Sequence, residues 1–312
     1  MKALPRIFAG HYVSNMQPTL IGENEPALRE KECFLAEWLR TRGSVLIGFS
    51  GGVDSAYLAC ISVDVLGQSN VLAVIGKSAS YPEAQWAAAR DVARQFRVPV
   101  LEVDTEELLD ARYTANPTNR CYFCKTELWS RLAPIATARG LACVVDGSNA
   151  DDLSDYRPGA RAAAEWGVLS PLATLGFTKA DIRALSRRRG IPTWRQPSAP
   201  CLSSRIPYGT MVTTERLRRI EAAEAALRAL GIAGDLRVRY HGDLARIELP
   251  SNEIAAWLAP DAAARMRDAV QDVGFLRVAI DLRGFRSGSL NVLSGVVADA
   301  LPNEIEREAP AA

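Results

Sequence analysis

The sequence is poor in histidine, with only His11 and His241 among its 312 residues. Two histidines are too few for most histidine-based metal sites, and a Ser-His-Asp triad would have to use one of them. No apolar run approaches the ~20 residues that a membrane-spanning helix needs. Residues 1–5 are not followed by an apolar core and a cleavage site, so no signal peptide is expected. These absences predict a cytoplasmic protein that does not span a membrane.

The sequence also lacks an excess of one charge, because 37 lysines and arginines accompany 36 aspartates and glutamates. Nucleic-acid binders usually carry a basic excess or stripe, so a large polyanion is not the expected partner, although a local patch could still be basic. Hydrophobic residues at 48% and charged residues at 23% describe a soluble chain with ample core material. The length favours a larger nucleotide-type domain with a smaller partner.

Short apolar segments alternate with helical patterns through residues 26–146. In the first helix, Leu28, Phe34, Leu35 and Leu39 are expected on one side. Strands are expected at 44–49, 71–75, 98–103 and 142–146, and helices at 26–42, 54–66, 82–96 and 123–139. This alternation predicts an α/β fold with a twisted parallel sheet flanked by helices. Ligands of such sheets lie beyond the carboxyl ends of the strands.

A proline-rich segment, residues 191–208, interrupts the pattern and is interpreted as a linker that carries function. A second unit then begins with a helix capped by Thr213-Thr214 and closed by Gly231. A hairpin, helices near 251–273 and a strand at 275–282 follow. We therefore expect two domains. The first covers 1–195, with an irregular lead-in over 1–25, and the second covers 196–312, a linker and a smaller α+β substrate-binding domain with a charged tail from 302.

The first predicted strand runs directly into Ser50-Gly51-Gly52-Val53-Asp54-Ser55 and then into a helix. Glycines let the backbone approach phosphate oxygens, and the amides and dipole of a helix N-terminus attract the anion. Ser50 and Ser55 can donate hydroxyl hydrogen bonds, and Asp54 can hold Mg²⁺. No GxxxxGK[ST] pattern is present, so this is not a Walker loop. The alternative is an ordinary glycine turn between a strand and a helix.

The hexapeptide resembles SGGxDS, the signature of the PP-loop ATP pyrophosphatases, whose fold is of the adenine nucleotide alpha hydrolase-like type. The resemblance implies that the loop grips the pyrophosphate of ATP while an acid, amide or base is adenylated. Ser78, after the second strand, lies where the family places adenosine contacts. Gly147, Asn149 and Asp152, after the fourth strand, resemble the family's second acidic loop. A plain turn rich in Asp and Asn is the alternative for that loop.

Six cysteines are present, and in a reducing compartment they are expected to be ligands, nucleophiles or buried fillers rather than disulfides. Cys121 and Cys124 form a CxxC pair that follows a long loop, residues 105–120, and opens a helix whose N-terminus is expected to lower the thiol pKa. Cys201 lies in the proline-rich linker. A lone CxxC is ambiguous between zinc, a redox pair, a cluster and coincidence. Three cysteine ligands with an open fourth position would suit an iron–sulfur cluster. The remaining three lie in apolar patterns and are predicted to be buried small hydrophobic residues: Cys33, Cys60 and Cys143.

Two cysteine segments, NRCYFCK at 119–125 and APCLSSRIPYG at 199–209, resemble the LarE family. These are the sulfur-inserting enzymes of nickel-pincer nucleotide cofactor synthesis, which serves lactate racemase. The resemblance spans roughly residues 26–290. It implies that ATP adenylates a carboxylate of pyridinium-3,5-biscarboxylic acid mononucleotide and that a sulfur nucleophile then displaces AMP, which leaves a thiocarboxylate.

LarE enzymes occur in two variants, and the cysteines distinguish them. One variant surrenders the sulfur of a single cysteine, which becomes dehydroalanine, and the other holds a 4Fe–4S cluster with three cysteines. The presence of Cys121, Cys124 and Cys201 implies the cluster variant, with Cys201 as a ligand. A sacrificial Cys201 is the alternative.

Residues 236–249 alternate strictly about a two-residue Gly-Asp turn, which predicts a β-hairpin. The register places Arg237 opposite Glu248 and Arg239 opposite Arg246 on one face. An opposed arginine pair is unfavourable on a sheet unless an anion lies between the guanidinium groups, which bind phosphate bidentately. The alternative is a solvated polar face.

The resemblance to LarE implies substrate contacts from this hairpin, made by Arg237, Arg239, Arg246 and Glu248. Arg286 is expected to join them. Arg205, beside Cys201, would hold the substrate carboxylate or the AMP phosphate. Glu221 or Glu224 is expected to assist, and the sequence does not choose between them.

Two other functions remain open. A tRNA thiolase would share the PP-loop and the clustered cysteines, but the balanced charge and the absence of a zinc-ribbon pair of CxxC motifs count against it. An ATP-binding module without catalysis would not need Asp54 together with three suitably placed cysteines. The expected cofactors are ATP, Mg²⁺ and a 4Fe–4S cluster. The expected partners are a small nucleotide substrate, a sulfide or sulfur-carrier donor and further copies of the same chain.

Overall fold

A computed structural model describes residues 25–154, 157–197 and 200–286. The predicted lead-in, apart from residue 25, and the predicted tail from 302 lie outside the described residues. The family segment that contains Arg286 is described only up to that residue. None of the helices within these ranges is long and apolar enough to cross a membrane.

The first part of the chain forms a four-stranded parallel sheet in the order β3-β2-β1-β4, which confirms the predicted α/β fold. Its strands and helices, in chain order, are α1 (Glu25–Arg42), β1 (Val45–Gly48), α2 (Val53–Leu66), β2 (Val71–Lys77), α3 (Glu83–Gln95), β3 (Val100–Asp104), α4 (Ala111–Thr114), α5 (Arg120–Ala138), β4 (Cys143–Val145), α6 (Pro158–Glu165), α7 (Pro171–Thr174) and α8 (Lys179–Arg188).

Both faces of this sheet are covered, which explains why β1, β4 and most of β2 are apolar. Successive side chains of a strand point to opposite faces. Val45 and Ile47 accordingly pack in one buried cluster with residues of α1 and α2, whereas Leu46 packs in another with Trp129 of α5. The order of the strands places the loops after β1, β2 and β4 at one edge of the sheet.

Two predictions for α1 are wrong. Leu28, Leu35 and Leu39 are buried, but Phe34 is 56% exposed, because six residues after Leu28 it lies roughly 240° around the helix. Cys33 is exposed for the same reason. Among the other cysteines predicted to be buried fillers, Cys60 is buried and Cys143 is half-buried.

Several elements are absent from the sequence-based prediction. The segment 105–120 is not one long loop but contains the 3₁₀-helix Glu107–Leu109 and α4. Helices α6, α7 and α8 lie between β4 and the linker. Thr178 caps α8 in a capping box with Asp181, which fixes the start of that helix at Lys179.

The second part of the chain forms a three-stranded mixed sheet, which confirms a smaller α+β unit. Strands β5 and β6 are antiparallel, and β6 and β7 are parallel. Its core includes linker residues such as Leu202 and Ile206, and also Tyr113 of α4. The domain boundary at 195/196 stays a prediction. The elements are α9 (Thr214–Ala229), β5 (Arg237–His241), β6 (Leu244–Glu248), α10 (Ile254–Trp257), α11 (Pro260–Gln271) and β7 (Arg277–Ile280).

Candidate active site

The phosphate loop lies between the carboxyl end of β1 and the first turn of α2, which begins at Val53. Gly51 has a φ of 67°, and a Cβ on it would lie 2.5 Å from the Cβ of an alanine in α3, so the position requires glycine. The hydroxyl oxygens of Ser50 and Ser55 are 3.1 Å apart, and that of Ser55 also donates to the carbonyl of Gly52 at 3.2 Å. A tight turn that runs into a helix N-terminus supplies the amides and the dipole that bind phosphate.

The loop after β4 packs directly against the phosphate loop. A Cβ on Gly147 would lie 2.8 Å from the amide nitrogen of Ser55, so a larger residue would push the two loops apart. The amide of Asn149 donates to Asp152 Oδ2 at 3.0 Å, and Asn149 Oδ1 accepts from the amide of Asp151 at 3.0 Å. The three residues predicted for the second acidic loop are therefore held beside the phosphate loop, and their roles stay predictions.

Asp54 combines an ion pair with an open acceptor. Its Oδ2 pairs with Lys179 at the start of α8, and its Oδ1 is buried without a hydrogen-bond partner in the part of the chain that the structure describes. Burial raises the pKa of Asp54, the charge of Lys179 opposes this, and nearby Asp152 raises it again. Lys179 is not predicted from the sequence, since it lies 125 residues after Asp54 and only the fold brings the two together.

The surroundings of Asp54 fit Mg²⁺. This ion prefers carboxylate, phosphate and water oxygens and uses few protein ligands. A buried carboxylate oxygen without a donor, close to the second carboxylate of Asp152, offers such a ligand beside the loop that would bind the phosphates. Asp54 would therefore hold the ion, and Lys179 would keep the same carboxylate oriented.

A short segment after β2 connects the phosphate loop with the cysteine-bearing linker. The hydroxyl of Tyr81 donates to the carbonyl of Ser50 at 2.9 Å. One residue earlier, the carbonyl of Ser80 accepts from the amide of Leu202 at 2.8 Å, next to Cys201. The ATP side and the sulfur side of the site are thus joined through two consecutive residues.

Ser78, the predicted adenosine contact, lies in this same segment. Its hydroxyl donates to Oε1 of Glu107 at 2.6 Å, and the hydroxyl of Ser80 donates to the same oxygen at 2.7 Å. Glu107 is buried and is not among the predicted site residues. No local sequence pattern marks it, because its partners are 27 and 29 residues away.

The three predicted cysteine ligands lie near one another. Cys121 and Cys124 are in the first turns of α5, which begins three residues before the predicted start at 123, and Cys201 precedes the 3₁₀-helix Leu202–Arg205. Loss of solvent around the sulfur, and then the charge of Cys201, raise the pKa of Cys121, although the residue as a whole is exposed. Burial, Glu107 and Cys201 raise the pKa of Cys124. The expected lowering of the thiol pKa by the helix N-terminus is wrong, because burial outweighs the helix dipole.

Three cysteines are the kind of donor set that an iron–sulfur cluster with one open iron would use. Within the three described ranges, no group of three or more His, Cys, Asp or Glu side chains is arranged to hold a metal ion. A zinc site gathers its sulfurs about 2.3 Å from one ion, whereas a cluster separates its cysteines across a larger body. The three thiols are close enough for their charges to interact, and their binding of a cluster stays a prediction.

A buried polar clasp holds the cysteine linker against the CxxC helix. Asn116 has a φ of 56°, and its side-chain amide donates to the carbonyls of Pro207 at 2.7 Å and Thr210 at 2.9 Å. Arg120, the first residue of α5, donates to the side chain of Asn116 and to the carbonyl of Ser203 at 3.0 Å. This clasp ties the linker to the CxxC helix through side-chain hydrogen bonds.

The arginine hairpin has the predicted register, with Arg237 opposite Glu248 and Arg239 opposite Arg246. The two opposed arginines do not need an outside anion. Glu248, 1% exposed, accepts from Arg239 at 2.9 and 2.7 Å, and its other oxygen lies 3.2 Å from Arg246. Arg246 also pairs with Asp281. The protein itself therefore supplies the bridging carboxylate.

The structure distinguishes between the two candidate glutamates of α9. Glu224 forms a two-pronged pair with the buried Arg205, at 2.9 and 3.0 Å, and also accepts from the amide of Val238 in β5. Glu221 instead accepts from the amide of Glu83 at 2.6 Å, at the start of α3. Glu224 therefore belongs to the arginine group, and Glu221 connects α9 to the ATP side.

Arg237 completes the buried part of this group. Its guanidinium lies 4.8 Å from the ring centre of Phe285. Burial, followed by the charge of Arg205, lowers the pKa of Arg237 to about 10, so the group remains charged at neutral pH. Arg286 is exposed at the end of the described segment, and its part in the site stays a prediction.

The sheet order, the SGGxDS loop after β1 and the acidic loop after β4 define a PP-loop ATP pyrophosphatase. Residues 27–136 match the family model of NAD synthase. That stretch contains the phosphate loop and the first three strands.

Three relatives match most of the chain. An uncharacterized protein of Synechocystis sp. is 46% identical over 246 residues, which cover 79% of this chain and 91% of the relative. The pyridinium-3,5-bisthiocarboxylic acid mononucleotide synthase of Lactiplantibacillus plantarum is 37% identical over 264 residues, 85% of this chain and 95% of the relative. An uncharacterized protein of Methanocaldococcus jannaschii is 28% identical over 243 residues, 78% of this chain and 91% of the relative. The chain belongs to the LarE family and is an ATP-dependent sulfurtransferase.

Proposed function

We propose that this sulfurtransferase adenylates a carboxylate of pyridinium-3,5-biscarboxylic acid mononucleotide and replaces one of its oxygens by sulfur, to supply the thiocarboxylate of the nickel-pincer nucleotide cofactor. The observation that carries the proposal is the segment Ser80-Tyr81, which contacts the phosphate loop on one side and the Cys201 linker on the other. ATP and a sulfur donor would therefore meet at one place. The Lactiplantibacillus relative is a pyridinium-3,5-bisthiocarboxylic acid mononucleotide synthase, which supports this substrate.

The first step is adenylation. A carboxylate oxygen of the substrate attacks the α-phosphorus of ATP, the bond to the β-phosphate bridging oxygen breaks, and pyrophosphate leaves. The amides of residues 50–55 and the N-terminus of α2 would stabilise the leaving pyrophosphate. Asp54 would hold the Mg²⁺ that neutralises its charge, and Gly147, Asn149 and Asp152 would line the opposite side. Ser78 would contact the adenosine.

The second step is sulfur transfer. A sulfide nucleophile attacks the carbonyl carbon of the acyl adenylate, a C–S bond forms, and the C–O bond to AMP breaks with its electron pair going to AMP. Cys121, Cys124 and Cys201 would hold a 4Fe–4S cluster. When bound, such a cluster supplies an iron position that is open to the sulfide, with free sulfide or a sulfur carrier as the donor.

The arginine group would hold the substrate. Guanidinium groups bind phosphate and carboxylate with two parallel hydrogen bonds. Arg205, beside Cys201, would orient the reacting carboxylate or the AMP phosphate, with Glu224 as its partner. Arg237, Arg239 and Arg246, kept in place by Glu248, would bind the substrate phosphate, with Arg286 joining them.

The proposed function is tested by following pyrophosphate and AMP. Protein purified without oxygen is incubated with MgATP and either the mononucleotide acid or total tRNA. We expect pyrophosphate and AMP, rather than ADP, only with the mononucleotide, and their loss in the Asp54→Asn variant. Release that depends on tRNA instead would favour a tRNA thiolase, and no release with either would favour a non-catalytic ATP-binding module.

The sulfur centre is tested separately. Iron and acid-labile sulfide are counted in the anaerobic protein, and the peptide that contains Cys201 is weighed after turnover. The cluster proposal predicts iron, sulfide and an intact Cys201. A peptide that has lost hydrogen sulfide would identify Cys201 as a sacrificial donor, which would refute the cluster and leave the family assignment intact.

A further inference from the structure

The carbonyl oxygen of Ser50, the first residue of the phosphate loop, accepts hydrogen bonds from two side chains outside the loop. The hydroxyl of Tyr81 donates to it at 2.9 Å, and the side-chain amide of Gln85, in the first turn of α3, donates to it at 2.8 Å. Burial raises the pKa of Tyr81, so its hydroxyl keeps its proton and remains a donor. A carbonyl has two lone pairs, and both of those on Ser50 are therefore used.

These two bonds fix the direction of the next backbone amide. The peptide bond between Ser50 and Gly51 is planar and trans, so the C=O of Ser50 and the N–H of Gly51 point in opposite directions. With the carbonyl directed to Tyr81 and α3, the amide of Gly51 is directed away from them. That amide donates to no protein acceptor in the part of the chain that the structure describes. It is therefore available to an anion.

The packing of α3 shows on which side of the loop an anion can lie. A Cβ on Gly51 would lie 2.5 Å from the Cβ of Ala89, which follows Gln85 by one turn of α3. The helix thus fills the side of the loop to which the Ser50 carbonyl points. A phosphate must approach from the opposite side, and the amide of Gly51 points to that side.

Glycine makes this orientation easy to lose. Gly51 has a φ of 67°, and glycine adopts positive and negative φ about equally, so the Ser50–Gly51 peptide can rotate with little steric resistance. A rotated peptide would present its carbonyl oxygen to the anion in place of the amide. The peptide therefore needs a restraint from outside the loop.

Gln85 provides such a restraint through an arrangement that is unfavourable for its own side chain. Its Nε2 donates to Ser50, but its Oε1 is buried without a hydrogen-bond partner within the described ranges. Buried polar atoms are rarely left unsatisfied, so each exception calls for an explanation. The bond to the Ser50 carbonyl offers that explanation.

We propose that Tyr81 and Gln85 are positioning residues, which hold the Ser50–Gly51 peptide with its amide toward the β- and γ-phosphates of ATP. The proposal rests on the role of the loop in binding pyrophosphate that is given under the proposed function. Both side chains act through the carbonyl of Ser50. Because either donor alone can hold that carbonyl, the orientation is lost only when both are removed. AMP lacks the β- and γ-phosphates, so its binding does not depend on the amide of Gly51.

The test compares magnesium pyrophosphate with AMP as ligands of the full-length protein, purified without oxygen, by isothermal titration calorimetry. Tyr81→Phe removes only the hydroxyl, and Gln85→Met removes the amide but keeps the length of the side chain. We expect each single variant to weaken pyrophosphate binding about twofold or less. The double variant should weaken it about tenfold or more, the usual effect of losing a hydrogen bond to a charged group. The affinity for AMP should change by less than about twofold throughout.

Gln95→Met is the matched control. Gln95 is the last residue of the same helix and is exposed, so this variant should bind both ligands as the wild type does. Binding of AMP also shows that each variant is folded around the nucleotide site. A merely structural role of Tyr81 and Gln85 would weaken both ligands alike.

The contradicting outcomes are distinct. Equal losses for AMP and pyrophosphate in the double variant, or an unchanged affinity for pyrophosphate, would overturn the positioning role. A double variant no weaker than the product of the two single effects would contradict the shared use of one carbonyl. If the wild type binds AMP but no magnesium pyrophosphate, the proposed role of the loop is itself refuted. The wild-type titration therefore distinguishes the two failures.

Discussion

Replacing Glu248 by glutamine removes the negative charge from the most buried ion pair of the arginine hairpin. Glu248 is 1% exposed and Arg239 is 6% exposed, and two hydrogen bonds of 2.9 and 2.7 Å join them. Arg246 would keep its second partner, Asp281. The substitution therefore removes the carboxylate that compensates Arg239 and perturbs Arg246 less.

The expected cost follows from this burial. Breaking a buried pair by removing one partner costs about 3–5 kcal/mol, because an uncompensated charge stays in the interior. Glutamine can still accept one hydrogen bond from Arg239, so we expect the lower end, about 3 kcal/mol of unfolding free energy. For a chain of 312 residues, that corresponds to a fall in the unfolding midpoint temperature of about 5 °C.

The assay is thermal and urea unfolding of the Glu248→Gln variant beside a matched surface control. Glu215 pairs with Arg219 on α9 and its side chain is 78% exposed, so Glu215→Gln should change the free energy of unfolding by about 0.5 kcal/mol or less. In the double variant Arg239→Met/Glu248→Gln, the orphaned charge is gone, and part of the lost stability should return.

Inorganic phosphate provides a second measurement on the same variants. Without the carboxylate, the guanidinium groups should bind an added anion, which raises stability with the logarithm of one plus the ratio of the phosphate concentration to Kd. Phosphate should therefore stabilise Glu248→Gln more than the wild type. If Glu248→Gln is as stable as the Glu215→Gln control and phosphate affects it no more than the wild type, the argument about this buried pair is wrong.

Three further variants test other contacts. Gly147→Ala should raise the KM for ATP about tenfold or more, because the new methyl group would displace the backbone of Ser55 and overpacking costs about 1–3 kcal/mol; an unchanged KM in steady-state kinetics would contradict the packing of the two loops. Lys179→Gln should slow pyrophosphate release about tenfold or more, since a charge-assisted bond that orients Asp54 is worth about 1.5–3 kcal/mol; a normal rate would place Lys179 outside the site. Asn116→Gly keeps the backbone conformation but removes the side chain that binds the linker, so urea unfolding should show a loss of about 1–3 kcal/mol, and a stable variant would contradict the clasp.

Features with a local cause could be predicted from the sequence. The short apolar segments that end in glycine loops predicted the parallel sheet. The alternation of side chains on either side of Gly242-Asp243 predicted the hairpin register at every paired residue. The start of α9 followed from Thr213, whose side chain accepts the amide of Arg216. Each of these depends on neighbours a few residues away, which a single sequence displays directly.

Features with distant partners could not be predicted in this way. Lys179 reaches Asp54 across 125 residues, and Asn116 reaches Thr210 across 94. Neither residue has a local pattern that marks it. Glu107 was missed for the same reason, since its serine partners are on another strand end.

The pair Arg239 and Arg246 shows that a correct strand register does not by itself predict which side chains form ion pairs. The register correctly placed Arg239 opposite Arg246, and the repulsion between them suggested an outside anion. Glu248 is opposite Arg237 in the ladder, yet its side chain reaches diagonally between the other two arginines. Diagonal neighbours lie within reach of long side chains on a sheet, and only the rotamers decide which pair forms.

The central claim is that ATP cleavage and sulfur insertion occur on the same small acid at this site. The direct measurement is mass spectrometry of the mononucleotide after incubation of the anaerobic protein with MgATP and sulfide, with AMP counted in the same sample. The account predicts a product in which sulfur replaces a carboxylate oxygen, with one AMP for each exchange. Continued formation of AMP and pyrophosphate without any sulfur-containing product would contradict it.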